Sequence, residues 1–122
     1  MSSSEEEDFN TSDGEEEADI IPVDTYDKIK NIMDRLEYKG ENDPDHTSLR
    51  RLTKYERTKI IGNRAKQLAM GSKPFLLKKD YQHMTNTIEI AKLELKTGKT
   101  PFIIKRPIPN GKVEYWRVAD LV

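Results

Sequence analysis
The chain is predicted to adopt an α+β fold: a small helical core of two main helices followed by a C-terminal β-hairpin, behind a disordered acidic N-terminal tail. Three features point there. The stretches "LTKYERTKIIGNRAKQLAM" and "NTIEIAKLELKTG" set apolar residues at helical spacing between cap and stop signals. "PNG" separates two runs rich in β-branched and aromatic residues. The opening "MSSSEEEDFNTSDGEEEAD" offers only Phe9 and Met1 as large apolar side chains, too little burial to offset chain entropy.

The elements follow in order. Residues 1–22 form the acidic tail, in which Ser2, Ser3, Ser4 and Ser12 each precede a glutamate by three positions and are candidate phosphorylation sites. Phe9, an aromatic inside "EEEDFN", is the candidate anchor of that tail on a basic surface. Residues 23–47 hold a short helix and a turn-rich linker: Ile29, Ile32, Met33 and Leu36 make one stripe, Asp24 or Thr25 caps its start, and Lys39 and Gly40 close it. So short a stripe is marginal alone and needs a surface to fold against, its own core or a partner.

Residues 48–122 form the main domain. Thr53 and Glu56 spell a capping box, and Gly71 supplies a left-handed stop. Between them Ile61, Ala65 and Leu68, widened by Ile60 and Ala69, give a narrow apolar stripe, while Lys54, Arg57, Lys59, Arg64 and Lys66 occupy much of the rest. Gly62 costs about 1 kcal/mol of helix stability against Ala, so it marks either tolerance or a close backbone approach. "GSKPFLLKKDYQHMTN" reads as a link. Asn86 or Thr87 caps the second main helix and Gly98 stops it. "PFIIKR" and "KVEYWRV" are the strands, with Asn110 and Gly111 suited to a type I′ turn and Glu114, Trp116 and Val118 sharing one side. Pro107 and Pro109 lack amide donors, so the hairpin is short or lies at an edge.

Charge divides the chain. Of 22 acidic residues among the 122, eleven lie before Lys28 where there is no base, leaving eleven against all 21 bases and a balance of +10 from Lys28 onward. Cysteine is absent, so disulfides and thiolate sites are excluded, and neither a membrane-length apolar run nor a secretory signal is recognisable. His46 and His83 stand in separate loop-like segments, read as surface histidines without ligand spacing, and the glycines do not cluster into a phosphate loop. No catalytic residue, metal or cofactor is assigned. Two readings remain open from composition: a basic module that binds nucleic acid by itself, or a subunit completed by another protein.

A resemblance narrows the choice. "TKYER" followed by Gly62, Arg64, Ala65, Gln67, Leu68 and Ala69 resembles the central motif of the omega-type small subunit of multisubunit RNA polymerases, shared by the eukaryotic nuclear enzymes and called subunit K in archaea. Ile90, Ala91, Glu94, Leu95, Lys99, Pro101, Ile103, Ile104 and Arg106 resemble its second block, and Pro109, Gly111, Trp116, Val118, Asp120 and Leu121 its C-terminal hairpin. The acidic tail is similar to that of the eukaryotic branch. The resemblance implies a non-catalytic polymerase subunit that clasps the largest subunit and promotes its folding, assembly and stability, touching nucleic acid only through the complex. It implies Lys54, Tyr55, Arg57, Arg64, Gln67, Arg106 and Trp116 as partner contacts, with Trp116 first a core anchor beneath the hairpin and a contact second, and a basic transcription-factor surface as the tail's target. The implied location is the nucleus for a cellular copy, and host cytoplasm or virion for one carried by a large DNA virus.

Overall fold
The structure, a computed structural model, describes residues 18–38, 46–109 and 111–122. Phe9, Ser2, Ser3, Ser4, Ser12, Lys39, Gly40 and Asn110 lie outside the described residues. The elements run β1 (Asp19–Ile21), α1 (Tyr26–Arg35), α2 (Lys54–Ala69), α3 (Lys78–Tyr81), α4 (Thr87–Lys96), β2 (Ile103–Pro107) and β3 (Val113–Arg117), closed by a 3-10 turn at Val118–Asp120.

The predicted α+β class stands, with a third strand added to the hairpin. β1 pairs antiparallel with β2, Ile20 opposite Ile104, so β2 is central rather than at an edge. Pro107 is accommodated because β1 pairs only with Ile103 to Lys105 and ends short of it. The reading of residues 1–22 as one disordered tail is thereby corrected at its end. "DII" is too short to stand out beside an acidic run, but two isoleucines on an apolar sheet gain enough burial to order it.

Alternation along the strands gives the sheet two apolar faces. Ile104, Trp116 and Val118 face α2 and α4 and bury Ile60, Leu95, Phe102, Ala18 and Leu121 with them. Ile103 faces α1, which lays Ile29 and Met33 on it together with Val23. The sheet thus lies between α1 and the α2–α4 pair. The surface that α1 needs is therefore present in its own chain, and the Tyr38 hydroxyl donates to Asp120 at 2.6 Å to fix the segment after it.

Local signals account for the helix ends. The Thr53 and Glu56 capping box forms in full, Asn86 accepts from the Ile88 amide, and Thr25 rather than Asp24 caps α1. Gly71 takes φ 109°, a left-handed value that a side chain resists. α1 stops at Arg35, before the expected Lys39 and Gly40, and Glu37 adopts φ 55°. Within the expected link, Lys78–Tyr81 forms one helical turn. The β2–β3 connection also differs. Gly111 N–H donates to the Ile108 carbonyl at 3.0 Å, so Pro109 sits at the second position of a turn from Ile108 to Gly111 instead of flanking a two-residue type I′ turn.

Candidate functional site
α2 carries charge inward as well as outward. Its inner face reads Glu56, Ile60, Arg64 and Leu68, spaced by four, and two of these buried residues are ionised types. Arg64 is fully buried against equally buried Glu94 of α4, its Nε 2.6 Å from Oε1 and its second guanidinium nitrogen 2.9 Å from Oε2. The same guanidinium donates to Gln67 Oε1 at 2.7 Å and to the Lys73 carbonyl at 3.1 Å. Glu94 also accepts the Phe75 amide at 2.7 Å. Two helices and the segment after Gly71 are thereby fastened at one point. A buried pair gains this way only when its remaining hydrogen-bonding capacity is filled.

A second pair repeats the arrangement at the start of α2. Arg106 of β2 grips Glu56 with two bonds of 2.7 Å. Its other donors go to Ser48 Oγ at 3.0 Å, the Arg51 carbonyl at 2.7 Å and the Leu49 carbonyl, so all five are used. Glu56 therefore caps the helix, accepting the Thr53 amide at 3.1 Å, and anchors the strand at once. The segment 48–51 has no regular structure of its own, and Arg106 holds it in place.

Glu114 makes the third buried anchor. Its carboxylate accepts the Thr47 amide at 2.6 Å, the Ser48 hydroxyl at 2.5 Å and the Trp116 indole N–H at 3.2 Å. Burial pushes its pKa upward, but the bonds from Ser48, Thr47 and Trp116 outweigh that and hold it at about 2. Trp116, 1% exposed, also stacks against His46 with ring centroids 4.1 Å apart. His46 is thus half-buried against an aromatic, not the surface histidine its loop suggests.

The predicted contact set divides accordingly. Arg64 and Arg106, expected as partner contacts, are turned inward by Glu94 and Glu56, while Trp116 is buried as the core anchor it is first expected to be, its indole N–H donating to Glu114 two residues earlier on the same face. Gln67 is half-buried and occupied by Arg64. Lys54 and Arg57 are exposed and Tyr55 half-exposed, together in the first turn of α2. Gly62 meets nothing within 4 Å of where a Cβ would stand, so no described residue approaches it closely. Glu94, Glu114 and Ser48 were missed as fold-determining groups. Glu94 beside Ala91 and Leu95, and Glu114 in register with Trp116 and Val118, were the available signals: a carboxylate on a face otherwise apolar.

Among the described residues no group of three or more His, Asp or Glu is placed to hold a metal ion, and no helix is long and apolar enough to cross a membrane.

The family described as RNA polymerase Rpb6 matches residues 50–102, the span that holds Glu56, Arg64 and Glu94. The DNA-directed RNA polymerase subunit Rpo6 of Pyrobaculum aerophilum is 37% identical over 102 residues, covering 82% of this chain and 89% of that protein. The chain belongs to the Rpb6 family. A further member, the DNA-directed RNA polymerases I, II, and III subunit rpabc2 of Dictyostelium discoideum, is 32% identical over 121 residues, 94% of this chain and 89% of that one. Subunit RPABC2 of Schizosaccharomyces pombe is 40% identical over 78 residues, but the match spans only 53% of its length, and the figure for Caenorhabditis briggsae is 54%. The chain thus spans about half the length of these two relatives. Within the Rpb6 family match the buried ionic residues serve the fold, leaving the exposed first turn of α2 as the candidate contact surface.

Proposed function
We propose that the chain is a non-catalytic subunit of a multisubunit DNA-directed RNA polymerase, which clasps the largest subunit and promotes its folding, assembly and stability during transcription. Family membership supports the enzyme. One observation supports docking through α2. Arg57 and Arg64 are seven residues apart, which on an α-helix returns to nearly the same face, yet Arg64 is wholly buried and Arg57 exposed. Arg57 borders the packing face where Glu56 and Ile60 are already covered by the chain itself, so its guanidinium is left to solvent and available to another chain. Lys54 and Tyr55 stand beside it in the first turn of α2, and the Arg57 guanidinium suits bidentate contact with carboxylates of a larger subunit.

In this reading the acidic segment bearing Phe9 is offered to a basic transcription-factor surface, and nucleic acid is met only through the complex. A cellular copy works in the nucleus, and a viral one in host cytoplasm or virion. The test is recovery of the tagged chain from its native cell. Stoichiometric capture of the largest polymerase subunit is expected, and its absence under gentle extraction refutes the proposal. The alternative, a stand-alone nucleic-acid binder, is favoured by the +10 balance from Lys28 onward. It requires tight binding without any partner and a steep decline with salt.

A further inference from the structure
A concave surface lies at the far end of α2 from its first turn. Tyr26 of α1, Pro74, Phe75, Leu76 and Leu77 of the segment after Gly71, and Lys99 beyond α4 line a groove of about 760 Å³, within the roughly 300–1,000 Å³ of ligand clefts. Its apolar side chains reach solvent: Leu77 is 64% exposed and Tyr26 44%. The groove is nonetheless held in shape from within. Glu94 accepts the Phe75 amide, and Arg64 donates to the Lys73 carbonyl with its guanidinium 5.3 Å from the Phe75 ring. The Tyr26 ring leans on Phe75 at 4.6 Å, and its hydroxyl donates to the Lys99 carbonyl. The buried Arg64–Glu94 pair therefore fixes a stretch without regular structure of its own, and a preformed cleft loses less freedom when it binds.

Charge frames this apolar floor. Lys73, Lys78, Lys79, Lys96 and Lys99 line the groove or adjoin its lining residues, all of them exposed, against Asp27 and Asp80, which leaves a balance of +3. We propose that the groove docks an acidic segment of another protein, which lays one leucine- or phenylalanine-sized side chain on Leu77, Phe75 and Tyr26 and offers carboxylates to the flanking lysines. Asp80 also lines the groove, and it favours a peptide over a nucleic acid. A peptide backbone carries amide donors that a carboxylate accepts, whereas phosphodiester oxygens only accept. The surface is separate from Arg57, so its role holds whichever subunit the first turn of α2 meets.

The experiment titrates the full chain with a labelled peptide, Glu-Glu-Asp-Leu-Phe-Asp-Glu-Glu, followed by fluorescence anisotropy and amide NMR. The peptide is expected to shift the amides of Phe75, Leu76, Leu77 and Lys99. L77S should weaken it about tenfold by removing the apolar contact and leave the thermal midpoint unchanged, since Leu77 is the N-cap of α3, where serine is favoured. K99Q should weaken it about threefold. Stationary amides at these four residues, or shifts confined to the first turn of α2, overturn the proposal. So does equal affinity for a peptide with two serines in place of Leu-Phe, which reduces the attraction to charge alone. A single-stranded DNA oligonucleotide that moves the same amides at lower concentration than the peptide assigns the groove to nucleic acid and contradicts the proposal.

Discussion
Arg57 and Arg64 share a helix, a face and a chemistry, and the molecule uses them in opposite ways. Arg64 meets Glu94 across α4, donates four hydrogen bonds and disappears from solvent. Two turns earlier, Arg57 stays exposed beside buried Glu56. What decides between them is the presence of a carboxylate 30 positions away on a neighbouring helix. The fold spends its buried cations on internal fastening and leaves the others solvated, so a basic helix of this kind holds two populations of charge.

The contrast is sharpened first where the expected loss is greatest. Arg64→Ala strands Glu94 in the interior and should lower unfolding free energy by about 3–5 kcal/mol, read by urea denaturation. The double substitution Arg64→Met with Glu94→Leu should recover most of that loss, because no unpaired charge remains. Failure to recover would show that the pair's bonds to Lys73 and Phe75, not the buried charge, dominate.

Glu114 ranks next. Its carboxyl is held at about 2 against an ordinary 4.5, so the ionised form is favoured by folding. Its contribution is complete above the ordinary value and fades as pH falls towards about 2, on the order of 3 kcal/mol in all. Glu114→Gln should therefore flatten the acid limb of a stability–pH curve, and an unchanged limb would remove Glu114 as its source. Thr53→Ala should cost about 1 kcal/mol by opening the cap, measured as a lower thermal midpoint.

Legibility in sequence follows the range of the interaction. Thr53, Glu56, Gly71, Asn86 and Gly98 were readable because a cap or stop is settled within a few residues. The inward sides of α4 and β3 were readable from periodicity, and the two carboxylates on them were visible as exceptions. Their partners were not. Arg106 finds Glu56 across 50 positions and Thr47 finds Glu114 across 67, and no local pattern encodes such a meeting. β1 escaped notice for a related reason: three residues have no periodicity, and their order comes from an edge of β2 that only the finished fold presents.

Arg57 completes the ranking, with the smallest expected effect on stability and the most direct bearing on function. Arg57→Glu should change unfolding free energy by less than about 0.5 kcal/mol, since no described neighbour depends on it. In a pull-down from the native cell, the Arg57→Glu chain, melting as the native chain does, should lose the largest polymerase subunit while the native chain retains it. Undiminished recovery of that subunit with the folded variant would contradict the proposal that this chain clasps it through the exposed first turn of α2.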